Sequence, residues 1–243
     1  MNSDLTLTRN DWRKRIRQKR AALSSEQQSV FAKTLAQRLQ QSILPLADQA
    51  TVKAPLKLAI YLANDGELNP QPFIDWCWQY GQQQKHNNQP SIEVYLPVIH
   101  PFSKGHLLFL RYSPTTTMVN NQYGIAEPKL NILTLCPAQN LDIIFTPLVA
   151  FDDQGNRLGM GGGFYDRTLA KLNITSLAKL AKYRSAQQAS ANNSANQQTE
   201  VALNSPTAVV GLAHQCQQVE QLPTELWDVP LPTIITPDNH YTF

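Results

Sequence analysis

Asp142-Ile-Ile-Phe-Thr-Pro-Leu-Val-Ala-Phe-Asp-Asp-Gln-Gly-Asn-Arg-Leu-Gly-Met-Gly-Gly-Gly-Phe-Tyr-Asp-Arg167 reads as strand, polar turn, glycine loop and helix, in that order. The apolar runs Leu141–Phe145 and Pro147–Phe151 have strand character, and helix-forming sequence runs from Phe164 to about Leu172. A loop in this position lies beyond the carboxyl end of a strand, where open α/β sheets bind ligands. Gly159, Gly161, Gly162 and Gly163 carry no side chains, so backbone N–H groups there can approach an anion. The loop is neither a Walker A motif, which needs a following Gly-Lys-Ser/Thr, nor a dinucleotide fingerprint. On glycine content alone a tight structural turn is an equal reading. Arg157, a phosphate partner, and Asp166, a carboxylate suited to Mg²⁺, tip the reading towards a ligand loop.

Outward from this stretch, strands alternate with helices. Strand candidates are Lys57–Leu62, Glu93–Ile99, Leu107–Tyr112, Ala208–Ala213 and Thr233–Thr236. Thr8 caps a helix running to about Leu23, and Ser24 and Ser25 start a second helix, expected to end before Pro45. A third helix spans Pro70 to about Gln83, after the turn Asn64-Asp65-Gly66. This order predicts an α/β fold with a mainly parallel sheet and helices on its faces, in one domain spanning residues 1–243. Ser185–Thr199, built from Ser, Ala, Gln and Asn with few apolar residues, reads as a flexible low-complexity insert.

The bulk numbers exclude several classes. A net charge of +3 over 243 residues gives no global polyanion-binding signature. Cys77, Cys136 and Cys216 are scattered and odd in number, so no disulfide framework is expected. The start of the chain lacks the apolar core of a secretory signal, and no apolar run approaches a membrane span. The cytoplasm is the expected compartment. The five histidines show no metal-ligand spacing.

Charge is concentrated in the first helix. At about 100° per residue, Arg9, Arg13, Arg17 and Arg20 share one face, directly beside the apolar stripe Trp12, Ile16 and Leu23. Cations bordering a packed face are partly desolvated, which favours a bound anion or buried carboxylates as partners. An ordinary exposed basic helix is the even alternative. On their own, Glu67 is more naturally a turn or helix-start residue and Asp228 a helix or turn residue, while the Tyr123-Gly-Ile-Ala-Glu-Pro128 loop reads equally as structural or functional.

Taken together, these segments resemble the 5-formyltetrahydrofolate cyclo-ligase family, also called 5,10-methenyltetrahydrofolate synthetase. The resemblance runs from the basic helix through Tyr61-Leu62…Gly66-Glu67, Tyr123–Pro128, Asp142–Arg167 and Gly211-Leu-Ala…Gln215 to Leu222–Leu231. The run Ala150–Arg167 is the most specific part. It implies a three-layer α/β/α fold related to the ribose-5-phosphate isomerase and CoA-transferase group. It further implies ATP-dependent ring closure on a reduced folate, with Mg²⁺ and no nucleic-acid or membrane partner, by a monomer. By position, Arg9, Arg13 and Arg157-Leu158-Gly159-Met160-Gly161-Gly162-Gly163-Phe164-Tyr165 match nucleotide-binding positions. Leu62, Glu67 and Met160–Phe164 match folate-binding positions, and Asp166 and Asp228 the magnesium carboxylates. No general base is apparent. The chain departs from the family in having Arg9 where Lys is frequent, Phe164 where Tyr is frequent, and a longer segment over about 172–205. The rival readings are a sugar-phosphate isomerase or acyl-CoA transferase on a related fold, and an RNA-binding module using the basic helix.

Overall fold

The computed structural model describes residues 7–48, 55–85, 92–191 and 205–243. Two capping boxes open the chain. Thr8 accepts from the Asp11 N–H while Asp11 accepts from the Thr8 N–H, starting α1 (Arg9–Ala21). Ser24 and Gln27 do the same for α2 (Ser25–Ala47). Contrary to expectation, α2 runs through Pro45. The proline forfeits one helical hydrogen bond, but Ile43, Leu46 and Ala47 are buried in the main core, and that packing outweighs the loss.

The remaining elements are β1 (Leu56–Ala59), α3 (Gln71–Lys85), β2 (Ile92–Ile99), β3 (Leu107–Arg111), β4 (Met118–Asn120), β5 (Ala126–Pro128), β6 (Leu135–Cys136) and β7 (Ile143–Pro147). They continue with β8 (Ala150–Phe151), β9 (Arg157–Leu158), α4 (Phe164–Leu169), β10 (Ile174–Thr175), α5 (Leu177–Ala191), β11 (Thr207–Leu212), β12 (Thr233–Ile235) and β13 (His240–Thr242). The run Pro147–Phe151 contributes no full strand. Pro147 ends β7, and Ala150–Phe151 pair with Arg157–Leu158 in a hairpin off the main sheet.

The centre of the sheet is parallel, in the order β12-β11-β7-β1-β2, with β10 parallel beside β11. Antiparallel β13 extends one edge, and β3 and β6 the other. Alternation along the strands separates two cores. Ile143, Phe145, Val210 and Leu212 face α2, α3 and α5, whereas Ile144 and Val209 face the side covered by α4 and loops. Trp12 and Ile16 of α1 pack on Val149, Ala150 and Leu158. The α5 helix includes residues 185–191 of the expected insert, and residues 192–199 lie outside the described residues. Among the described residues no helix is long and apolar enough to cross a membrane.

From β1 the chain crosses through α3 to β2 on one side, and β7 lies on the other side of β1. The carboxyl ends of β1 and β7 therefore flank a topological switch point, where an open α/β sheet splits into a crevice.

Candidate functional site

That crevice is a cavity of about 530 Å³. Its floor is the ends of β1 and β7, with Leu62 and Leu148, and its walls include Leu96, Met160 and Phe164. A few polar groups interrupt this apolar lining, the usual composition of a small-molecule site. They include Asn64, Asp65, Glu67, Asn121, Glu127, Arg157 and Asp166. A second cavity of about 200 Å³ adjoins it, lined by Arg9, Arg13, Gly161, Glu225, Trp227 and Asp228. Gly159, Gly163 and Asp166 line both.

The glycine loop is thus a partition. Gly161 has φ 103°, and a Cβ there would sit 3.5 Å from the Arg13 guanidinium carbon. Gly163 has φ 64°, and its added Cβ would meet Arg167 Nη1 at 2.9 Å. A side chain at Gly163 would be strained on both counts. Arg13 Nε donates to the Gly159 carbonyl at 2.8 Å, and Arg167 Nη1 to the Gly162 carbonyl at 2.8 Å, so each end of the loop is pinned.

The nucleotide positions implied by the resemblance divide across this wall. Arg9, Arg13, Gly159, Gly161 and Gly163 reach the small cavity, whereas Arg157, Met160, Gly162, Phe164 and Tyr165 line the large one. Leu158 lines neither. Its side chain is 1% exposed and packs with Trp12 and Ile16, because β9 alternates, so no ligand contact falls to that side chain. Leu62 and Glu67 both face the large cavity, and Asp228 only the small one.

The arginine stripe of α1 finds the partners its desolvation demands. Arg9 makes a bidentate pair with Asp228, which also accepts the Glu225 N–H at 2.8 Å. Burial pushes Asp228 up, but Arg9 and the Glu225 N–H hold it below its ordinary value on balance. Arg17 and Arg20 both grip Asp65. Arg13 differs: it bonds the Asn10 side chain and the Gly159 carbonyl, but no carboxylate among the described residues. Burial, then the neighbouring charge of Arg9, lowers its pKa. A half-buried cation without a carboxylate partner, beside glycine backbone, has the chemistry to hold an anion, and Asp166, Glu225 and Asp228 line the same cavity.

Arg157 is buried at 5% exposure, donates to Asp166 Oδ1 at 2.6 Å, and lies 5.9 Å from the Tyr165 ring centroid. Its Nε has no partner among the described residues, an unsatisfied buried donor on the cavity wall. Glu67 sits in the 64–67 turn, its carboxylate accepting the Asn64 N–H at 3.1 Å. Burial pushes its pKa up to about 7, against the pull of that N–H and of Arg20.

Sequence reasoning did not assign Asn121, Glu127 or Trp227. Glu127 accepts the Ile99 N–H and the Asn121 side-chain amide, which ties the β4–β5 hairpin over the large cavity. Tyr123 at the hairpin tip meets Phe164 of the glycine loop edge-on at 6.2 Å. The sequence signal there was the shaped loop Tyr123-Gly-Ile-Ala-Glu-Pro128, which contains Glu127 but gave it no role. Trp227 stands 66% exposed on the small cavity.

Comparison with known proteins agrees with this architecture. The 5-formyltetrahydrofolate cyclo-ligase family model matches residues 6–191 and 190–237. The chain is 41% identical over 224 residues to 5-formyltetrahydrofolate cyclo-ligase of Escherichia coli (strain K12), covering 92% of this chain and 97% of that one. To the Haemophilus influenzae protein of the same name it is 44% identical over 226 residues, covering 93% and 96%. The fold is similar to the NMR structure of Aquifex aeolicus 5,10-methenyltetrahydrofolate synthetase, with TM-score 0.65 and 24% identity over 97% of this chain and 93% of that one. The Mycoplasma pneumoniae 5,10-methenyltetrahydrofolate synthetase gives TM-score 0.59 and 22% identity over 95% and 99%. The chain belongs to the 5-formyltetrahydrofolate cyclo-ligase family.

Proposed function

We propose that this protein converts 5-formyltetrahydrofolate and ATP to 5,10-methenyltetrahydrofolate, ADP and phosphate, with the folate in the large cavity and the triphosphate in the small one. One observation carries the reading: the two cavities share the wall Gly159, Gly163 and Asp166. A γ-phosphoryl group on one side and a formyl oxygen on the other meet there.

The chemistry needs that meeting. The formyl oxygen belongs to an amide and cannot depart as oxide. Transfer of the γ-phosphoryl group to it creates a phosphate leaving group on the formyl carbon. The nearby N10 attacks that carbon, loses its proton, and phosphate departs with the original formyl oxygen. The methenyl cation left behind shares its charge between two nitrogens. The protein's work is positioning and charge neutralisation. Arg13 faces the phosphates, Arg9 joins it when its pair with Asp228 opens, and Arg157 faces charge developing at the transferred group from the folate side. Glu67 accepts from the pterin's 2-amino group and adjacent ring N–H, while the apolar lining excludes water.

Among the described residues no group of three or more His, Cys, Asp or Glu side chains is placed to hold a metal unaided. Mg²⁺ is held by one or two carboxylates together with substrate phosphates, and Asp166 fits that requirement. Both hydrogen bonds it accepts end on Oδ1, and it borders both cavities. Asp228 joins it only if the Arg9 pair opens. Bound there, Mg²⁺ would neutralise phosphate charge. An RNA-binding role for α1 is not favoured, since Arg9, Arg17 and Arg20 are engaged by carboxylates within the chain.

Steady-state kinetics of two variants test the partition. Arg13→Ala is expected to raise KM for ATP by about 10- to 100-fold, the loss of one charge-assisted bond, with KM for folate within about twofold. Glu67→Gln is expected to do the reverse. In the wild type, KM for folate should fall as pH rises through about 7, because the ionised Glu67 carboxylate is the form that accepts from the pterin. Glu67→Gln should abolish that pH dependence. Equal weakening towards both substrates in either variant would refute the division of the site.

A further inference from the structure

Asp65 is the one non-glycine residue with positive φ among the described residues, at 51°. That left-handed conformation is tolerated by Asp and Asn but carries a strain that the surroundings must hold. The surroundings here are two arginines of α1. Arg17 pairs bidentately, Nε to Oδ2 at 2.6 Å and Nη2 to Oδ1 at 2.9 Å. Arg20 adds Nη2 to Oδ2 at 2.8 Å from a side chain with 0% exposure. Its Nε and Nη1 have no partners among the described residues, so Asp65 is the carboxylate that compensates a fully buried cation.

The turn itself is closed by two bonds, Glu67 N–H to the Asn64 carbonyl at 3.0 Å and Asn64 N–H to Glu67 Oε2 at 3.1 Å. At Gly66, φ 71°, an added Cβ would lie 3.6 Å from Arg20 Cβ, so the turn rests directly on α1. Tyr61 fixes the exit, its hydroxyl donating to the Leu68 carbonyl at 2.7 Å. Asn64 and Asp65 themselves border the large cavity beside Glu67, whereas neither arginine lines a cavity, so both arginines act through the turn they hold.

We infer that Asp65 is a positioning residue for the reduced folate: gripped by Arg17 and Arg20, it holds the 64–67 turn in the conformation that sets Glu67 against the large cavity. The inference rests on the reading that the large cavity takes the folate. It also makes α1 common to both sites, with Arg9 and Arg13 on the small cavity and Arg17 and Arg20 on the turn.

The test uses the full-length enzyme. Asp65→Asn removes the charge while keeping a residue that accepts the left-handed backbone. It should raise KM for 5-formyltetrahydrofolate about tenfold or more, with kcat and KM for ATP within about twofold. Arg17→Gln, which leaves the Arg20 bond intact, should raise the same KM by about threefold. Since Asp65→Asn strands a buried cation and can impair folding, the double variant Arg20→Met/Asp65→Asn repeats the measurement with that charge removed. Glu67→Gln is the control for the site reading. If it raises KM for folate while the Asp65 variants leave it unchanged, the positioning role is overturned and the cavity assignment stands. If the Asp65 variants raise both KM values equally, the role is also overturned. If Glu67→Gln leaves KM for folate unchanged, the cavity assignment fails and the inference with it.

Discussion

Arg157→Ala is expected to lower kcat/KM by about 10³-fold or more, roughly 4 kcal/mol of transition-state stabilisation. Three features of Arg157 set that scale. It is buried, so its charge acts in a medium far less screening than water. Its Nε has no partner among the described residues, which leaves a donor for the transferred group. Its bond to Asp166 orients the guanidinium, so the donor is in place before the substrate arrives. Arg157→Lys keeps the charge but loses the planar fork, and should recover only part of the rate. Single-turnover measurements with both substrates saturating check the assignment. A loss seen in KM with kcat unchanged would make Arg157 a binding residue only.

The second large effect is expected at Asp166. Asp166→Asn should raise the Mg²⁺ needed for half-maximal turnover at least tenfold, about 1.4 kcal/mol or more, while ATP binding without metal changes little. Asn keeps an acceptor for Arg157, so the effect is not simply a broken pair. Asp228→Asn should also raise the Mg²⁺ requirement if the two carboxylates share the ion once Arg9 turns to phosphate. The double variant should then be little worse than the poorer single one, since groups acting as a unit are not additive. Independent losses that multiply would rule out a shared ion, and an unchanged Mg²⁺ requirement in Asp166→Asn would rule out Asp166.

The fold was legible where local chemistry and burial agree. The helix caps at Thr8 and Ser24, most of the apolar strands and the strand–loop–helix order around the glycines are short-range patterns, and the structure builds them, the run Pro147–Phe151 excepted. Pro45 was misleading because a single residue's preference says nothing of Leu46 and Ala47, whose burial carries the helix past it. The arginine stripe of α1 announced that partners were needed. It could not say that Arg20 would meet Asp65, 45 residues away, or Arg9 meet Asp228, 219 residues away. Nor could the loop's composition reveal that it is a wall with two sides. Which residue faces which cavity follows from the backbone reversals at Gly161 and Gly163. Leu158 illustrates the limit: one residue from Arg157 in sequence, it belongs to the core. Glu127 and Asn121 escaped because their role depends on a hairpin folding back over the sheet, and no spacing in the sequence encodes that distance.

Transfer of the γ-phosphoryl group to the formyl oxygen across the glycine wall is the claim on which the account turns, and isotope labelling tests it most directly. The enzyme, ATP and Mg²⁺ are supplied with 5-formyltetrahydrofolate carrying ¹⁸O in the formyl group, and the released phosphate is analysed by mass spectrometry. The account predicts one ¹⁸O atom in each phosphate formed, matched one for one by methenyl product. Label found in water, with unlabelled phosphate, would contradict it.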